Sequence, residues 1–228
     1  MKTMRVLLFL VMITLVGCGA SPQRSGGDIL VIGDSVMAWN RASGRDIGRV
    51  ISAELGRDVT SRAVVGAGIR SGGLGPLARP IPSQLSTGQW KWVVMNGGAN
   101  DLGSTCGCAR CAPVIDSLIS RDGRTGDIPQ LITTARAQGA QVLWMGYYQS
   151  PGALFRGCRP ALVELDRRIA LYASATDGVF FADAEDVIAP NNPGLFAPDQ
   201  THPSVAGSAL IGKFLARVIA ANSPRSAG

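Results

Sequence analysis

The sequence predicts a three-layer α/β/α domain on a five-stranded parallel sheet. Short apolar runs of strand length recur along the chain, each closes on glycine or another turn residue, and stretches with helical periodicity separate them. About 200 residues remain from Asp28 onward, enough for one domain and too few for two, so the domain is placed at residues 28–222.

Ile29-Leu30-Val31-Ile32 is the first strand and stops at Gly33. A helix follows within Arg45 to Leu55, where Ile47, Val50, Ile51 and Leu55 share a face and Gly56 ends it. The second strand, Asp58 to Val64, runs into the glycine-rich Gly66-Ala67-Gly68 and Gly72-Gly73. Trp92-Val93-Val94-Met95 is the third and leads into Asn96-Gly97-Gly98-Ala99-Asn100-Asp101. A helix ending near Gln138-Gly139 precedes the fourth strand, Gln141 to Met145. Pro160 opens a helix with Leu162, Leu165, Ile169 and Tyr172 suitably spaced, and Val179-Phe180-Phe181 is the fifth strand. The last helix starts close to Pro203 and turns Leu210, Phe214, Leu215 and Val218 inward.

Both ends read differently from this body. Lys2 and Arg5 precede an apolar run of about eleven residues, Val6 to Val16, too short to span a bilayer, so residues 1–17 read as an export leader. The run ends in Leu15-Val16-Gly17-Cys18, which resembles a bacterial lipobox, so Cys18 is the expected lipidation site. Residues 18–27 have tether composition and 223–228 read as a disordered tail. An ordinary secretory signal is the alternative, and either reading exports the chain, to a periplasm or cell envelope. The lipid would hold a monomeric domain at a membrane without crossing it.

The formal charge of +6 falls to about +4 once Lys2 and Arg5 are removed, and the arginines are scattered without a basic block. Nucleic acid is therefore not an expected partner. Export makes two disulfides the default for Cys106, Cys108, Cys111 and Cys158. A Cys106–Cys108 ring would be strained, which leaves Cys158 paired with Cys106 or Cys108 and Cys111 with the other. The irregular Cys-x-Cys-x-x-Cys spacing and the oxidising compartment argue against a zinc site.

The chain has one histidine, His202, three residues after Asp199 and followed by Pro203. Serine attacks poorly unless a base takes its proton, and imidazole suits that task near neutral pH. Ligands bind outside the carboxyl ends of an open parallel sheet, where Ser35, the Gly66 segment and Asn100 each fall just beyond a strand. The two cysteine-bearing loops emerge at the same edge, so a disulfide between them would stiffen one wall of a cleft there.

Four blocks carry a family resemblance: Gly33-Asp34-Ser35-Val36, Ser61 to Gly66, Gly98-Ala99-Asn100-Asp101, and Asp199-Gln200-Thr201-His202-Pro203. In this order they resemble the SGNH hydrolases, the GDSL-type esterases and lipases, with Val36 for the usual leucine and Ser61 where asparagine is frequent. The resemblance implies a flavodoxin-like fold and a cofactor-free, metal-free hydrolase of carboxylic esters. It implies Ser35 as nucleophile, His202 as base and then acid, and Asp199 orienting the imidazole. The oxyanion donors would be the Ser35 and Gly66 backbone N–H groups and the Asn100 side chain. Gly68 or Ser71-Gly72 is the alternative for the glycine; Gly66 is preferred because a strand runs directly into it.

Asp34 and Asp101 read as turn braces. Trp39 and Asn40 either line the cleft or pack against the sheet. Gly66-x-Gly68 is not a dinucleotide fingerprint, because Ser71 stands where its third glycine belongs. The expected activity is hydrolysis of O-acetyl or short acyl esters of saccharides or lipids, and the absence of a long apolar insertion argues against a deep acyl tunnel. A non-catalytic envelope ligand-binding lipoprotein on the same fold is the alternative.

Overall fold

The computed structural model describes residues 28–70, 79–155 and 157–223. The leader, Cys18, the tether, Ser71, Gly72 and the tail beyond Ser223 lie outside the described residues.

Strands β1 (Ile29–Ile32), β2 (Val59–Ser61), β3 (Trp92–Met95), β4 (Gln141–Met145) and β5 (Val179–Ala182) form one sheet in the order β2-β1-β3-β4-β5, every neighbour parallel. The order reverses between β1 and β3, and this switch point is where an open α/β sheet leaves a crevice. Side chains alternate across the sheet as the strand period of two requires. Leu30, Ile32, Val93, Met95, Val142 and Trp144 enter one apolar layer, and Ile29, Val31, Trp92, Val94, Leu143 and Met145 the other.

The first layer is closed by α4 (Ala99–Cys106), α5 (Ala112–Leu118), α6 (Asp127–Ala137) and α7 (Arg159–Ser174). The second is closed by α1 (Ser35–Ala38), α2 (Ile47–Leu55) and α8 (Val205–Asn222). A short α3 (Ile81–Gln84) sits between β2 and β3. Asp46 caps α2 through the N–H groups of Gly48 and Arg49, and Gly56 ends the helix in the left-handed conformation.

All five strands lie where the sequence places them, with β2 shorter than expected. Beyond Ser61 the ladder loosens, although Arg62 N–H still donates to the Val31 carbonyl and Val64 N–H to that of Gly33. The last helix begins at Val205 behind the cap Ser204, two residues after Pro203, and its buried stripe is rotated from the expected one. Leu210 is exposed while Ile211 and Ile219 are fully buried beside Leu215, because the closest face of α8 rests on α2 at Gly212. The segments α3, α4 and α5 carry too little periodicity to be read from sequence.

Candidate active site

Three strand ends and one long loop meet at the switch point. β1 ends at Gly33, and Asp34 caps α1 by accepting a hydrogen bond from Val36 N–H at 2.9 Å, which sets Ser35 at the first helical position. Gly33 is clamped by Gln84, whose Oε1 accepts from Gly33 N–H at 2.8 Å and whose Nε2 donates to the Gly33 carbonyl at 3.0 Å.

Asp34 has further partners. Asn96 donates to its Oδ1 at 2.9 Å and accepts from its backbone N–H at 3.1 Å, while the Tyr147 hydroxyl donates to Oδ2 at 2.5 Å. Burial pushes the Asp34 carboxyl up, against these hydrogen bonds that favour its ionised form. Burial and the neighbouring carboxyl also push the Tyr147 phenol well above its ordinary range, so it keeps its proton and donates. Asp34 is thus a brace, as is Asp101, which accepts from the N–H groups of Ile69 at 2.7 Å and Arg70 at 2.9 Å.

His202 arrives on the loop between β5 and α8. Asp199 Oδ1 accepts from the backbone N–H groups of Thr201 and His202, both at 3.0 Å, and its Oδ2 lies 2.5 Å from His202 Nδ1. Burial works against the charge on Asp199, but the His202 ring and the two backbone N–H groups outweigh it and hold the carboxyl below its usual range. An ionised carboxylate only accepts, so Nδ1 carries the proton and Nε2 is the acceptor. His202 Nε2 lies 2.8 Å from Ser35 Oγ, and both side chains are buried. The loop is held from two sides, by the Tyr148 hydroxyl donating to the Thr201 carbonyl and by Gly152 N–H donating to that of Gln200.

Asn100, on the first turn of α4, donates through Nδ2 to the Ala67 carbonyl at 2.9 Å, leaving one amide N–H without a partner among the described residues. Gly66 occupies the third position of a turn closed by Ala67 N–H donating to the Val64 carbonyl, with φ of 77°, a conformation a type II turn requires there. The turn lies between Val64, tied to Gly33, and Ala67, tied to Asn100, although Gly66 is not among the residues lining the main cavity. That cavity, of about 570 Å³, is lined by Ser35, Asn100 and His202 and runs on toward α7 and the end of β5.

Trp39 and Asn40 do not line it. Trp39 stacks on the His202 ring from outside, and Asn40 Nδ2 donates to the Pro203 carbonyl and Ser208 Oγ, tying the exit of α1 to the histidine loop. Gln84, Asn96, Tyr147 and Tyr148 support the site without any motif to mark them. Asn96 and the two tyrosines carried one signal, their place just beyond the third and fourth strands, and Gln84 carried none.

Disulfides join Cys106 to Cys111 and Cys108 to Cys158, one of the two pairings left open by the sequence. Cys158 precedes α7 and donates its N–H to the carbonyl of Phe155, a cavity-wall residue that also packs on α4 at Gly103. The second bridge therefore pins the wall to the β3 side of the sheet.

The model of the GDSL-like lipase/acylhydrolase family matches residues 31–210. The chain belongs to this family. Membership makes it an ester-cleaving hydrolase, and its architecture is that of SGNH hydrolases. No curated protein matches it significantly. Among solved structures it is similar to a carbohydrate acetylesterase from Sinorhizobium meliloti, at 17% identity and TM-score 0.59 over 85% of this chain and 98% of that one. It is similar also to an inhibitor-bound aryl esterase from M. smegmatis, at 18% identity and TM-score 0.59 over 85% and 98%. A family two carbohydrate esterase from Clostridium thermocellum, in complex with cellohexaose, aligns at 20% identity and TM-score 0.57 over 88% of this chain and 65% of that one.

Proposed function

We propose that this GDSL-family protein hydrolyses carboxylic esters through an acyl-enzyme on Ser35. The observation that carries the reading is the unbroken line from Asp199 Oδ2 through both His202 nitrogens to Ser35 Oγ. As Oγ attacks the ester carbonyl, its proton passes to Nε2, and Asp199 stabilises the imidazolium that forms. The carbonyl electron pair moves onto oxygen, where the Ser35 N–H and the free N–H of Asn100, both in the cavity lining, receive it. Collapse expels the alcohol, which takes the proton from Nε2. Water then attacks the acyl group by the same route and frees Ser35.

The substrate class proposed is an O-acetyl or short acyl ester of a saccharide or lipid. Supporting a saccharide, two of the similar structures are carbohydrate esterases, one in complex with cellohexaose. Export through residues 1–17 and a lipid on Cys18 complete the proposal, tested by palmitate labelling lost in C18A. For the activity, a fluorophosphonate should label the wild type and not S35A, and the wild type should turn over p-nitrophenyl acetate. Neither labelling nor turnover in the wild type would sink the reading.

A further inference from the structure

We propose that the end of the cavity away from Ser35, where Asp166, Asp183 and Glu185 converge, binds a protonated amine carried by the substrate. This names a substrate class within the esterase reading and rests on that reading. The cavity extends along α7 to the residues that follow β5, so one enclosure joins the serine to these acids.

Asp166 is the telling residue. Its side chain projects from α7 into the cavity lining, is only 8% exposed, and spends one oxygen accepting from Tyr147 N–H at 2.9 Å. The other oxygen, Oδ1, is buried and has no hydrogen-bond partner among the described residues. A buried acceptor without a donor is costly, and a ligand N–H removes that cost. Gly146 makes room for the arrangement: a β-carbon there would stand 2.7 Å from the Phe181 ring and 3.3 Å from the Asp166 carboxyl.

Among the described residues the charge around Asp166 is unbalanced. Arg159 is bound to Glu185 and Arg167 to Glu164, while Asp183 forms no ion pair among the described residues. Burial pushes the Asp166 carboxyl well above its ordinary range, opposed by the hydrogen bond from Tyr147 N–H and helped by the charges of Asp183 and Glu185. A neutral hydroxyl could satisfy Oδ1, but a cation also balances Asp183, which has no ion-pair partner among the described residues. Phe155 and Phe181 belong to the same lining and supply apolar surface for the alkyl groups of an ammonium.

The test uses a matched pair of esters, 2-(dimethylamino)ethyl acetate and its neutral isostere 3-methylbutyl acetate, with binding to S35A followed by ligand-observed NMR. The expected result is about tenfold or more tighter binding of the ammonium ester, the scale of a charge-assisted hydrogen bond. That preference should fall about threefold or more in S35A/D183N and vanish when D166N is added. Asparagine at 183 can still cap the Glu185 N–H that Asp183 Oδ1 accepts at 2.9 Å, so the fold is kept. Equal binding of the two esters, or a preference unchanged by D166N and D183N together, overturns the proposal. S35A cannot form an acyl-enzyme, so an ammonium preference without wild-type turnover would sink the esterase reading alone. Turnover without preference would sink this inference alone.

Discussion

The indole of Trp39 lies flat on the imidazole of His202, with ring centroids 3.7 Å apart and planes 6° from parallel. Asp199 fixes the ring within its plane through Nδ1, and Trp39 fixes the plane itself. An aromatic face also stabilises the imidazolium that forms during turnover, by about 0.5–2 kcal/mol. W39A should therefore lower kcat by about 3- to 30-fold with KM nearly unchanged, and W39F should recover most of it. A rise in KM at constant kcat would show instead that Trp39 contacts substrate.

The proposed oxyanion donor and base separate by size of effect. N100A should cut kcat about 10²- to 10³-fold, the range for one such donor, with unchanged far-ultraviolet circular dichroism. H202A should cost more, because no other histidine exists to replace it. Assays with p-nitrophenyl acetate check both, and a fully active N100A would remove Asn100 from its role.

Tyr147 supports the serine at one remove, since its hydroxyl donates to Asp34 and Asp34 caps the helix that starts at Ser35. Y147F leaves a buried carboxyl oxygen short of a donor and should destabilise the fold by about 1–3 kcal/mol in urea unfolding. No loss of stability would mean that the bond to Asp34 contributes little.

Glu164 on α7 gives an acid-side prediction. The guanidinium groups of Arg167 and Arg168 hold it at about 2, below an ordinary 4.5. A folded value below the unfolded one adds stability above the unfolded value, lost as pH falls through the folded one. E164Q should thus be less stable than wild type at pH 7, by about 1 kcal/mol after screening at this partly exposed site. The gap should close as pH falls from about 4.5 to about 2, as followed by thermal melts.

The Cys108–Cys158 bridge closes a loop of sequence separation 50. Loop-closure arguments give it about 4 kcal/mol, so C108S/C158S should melt well below the oxidised wild type. Because the bridge also pins the Phe155 wall, KM should rise more than kcat falls. An unchanged KM would detach the bridge from the cavity.

Strands were legible because apolar runs broken at glycine declare themselves within a few residues. The helices that lay across the site, α4 above all, were not, since Ala99 to Cys106 is mostly small and polar and is helical because Gly98 and the sheet edge set its start. On α8 the hydrophobic pattern fixed a helix but not its rotation, which the backbone contact with α2 at Gly212 decides.

By itself the sequence determined the layers and the five strands and marked Ser35, Asn100, Asp199 and His202 as site candidates, because motif and strand-end position are both local properties. Only the tertiary structure decided which cysteines pair, that Trp39 backs the histidine instead of lining the cleft, and that Gln84 and Tyr147 hold the serine turn. It alone brought Asp166 to the cavity with an oxygen unspent. These are contacts between residues up to about 160 positions apart, and their partners are chosen by how helices and loops pack on the sheet, which no run of neighbouring residues encodes.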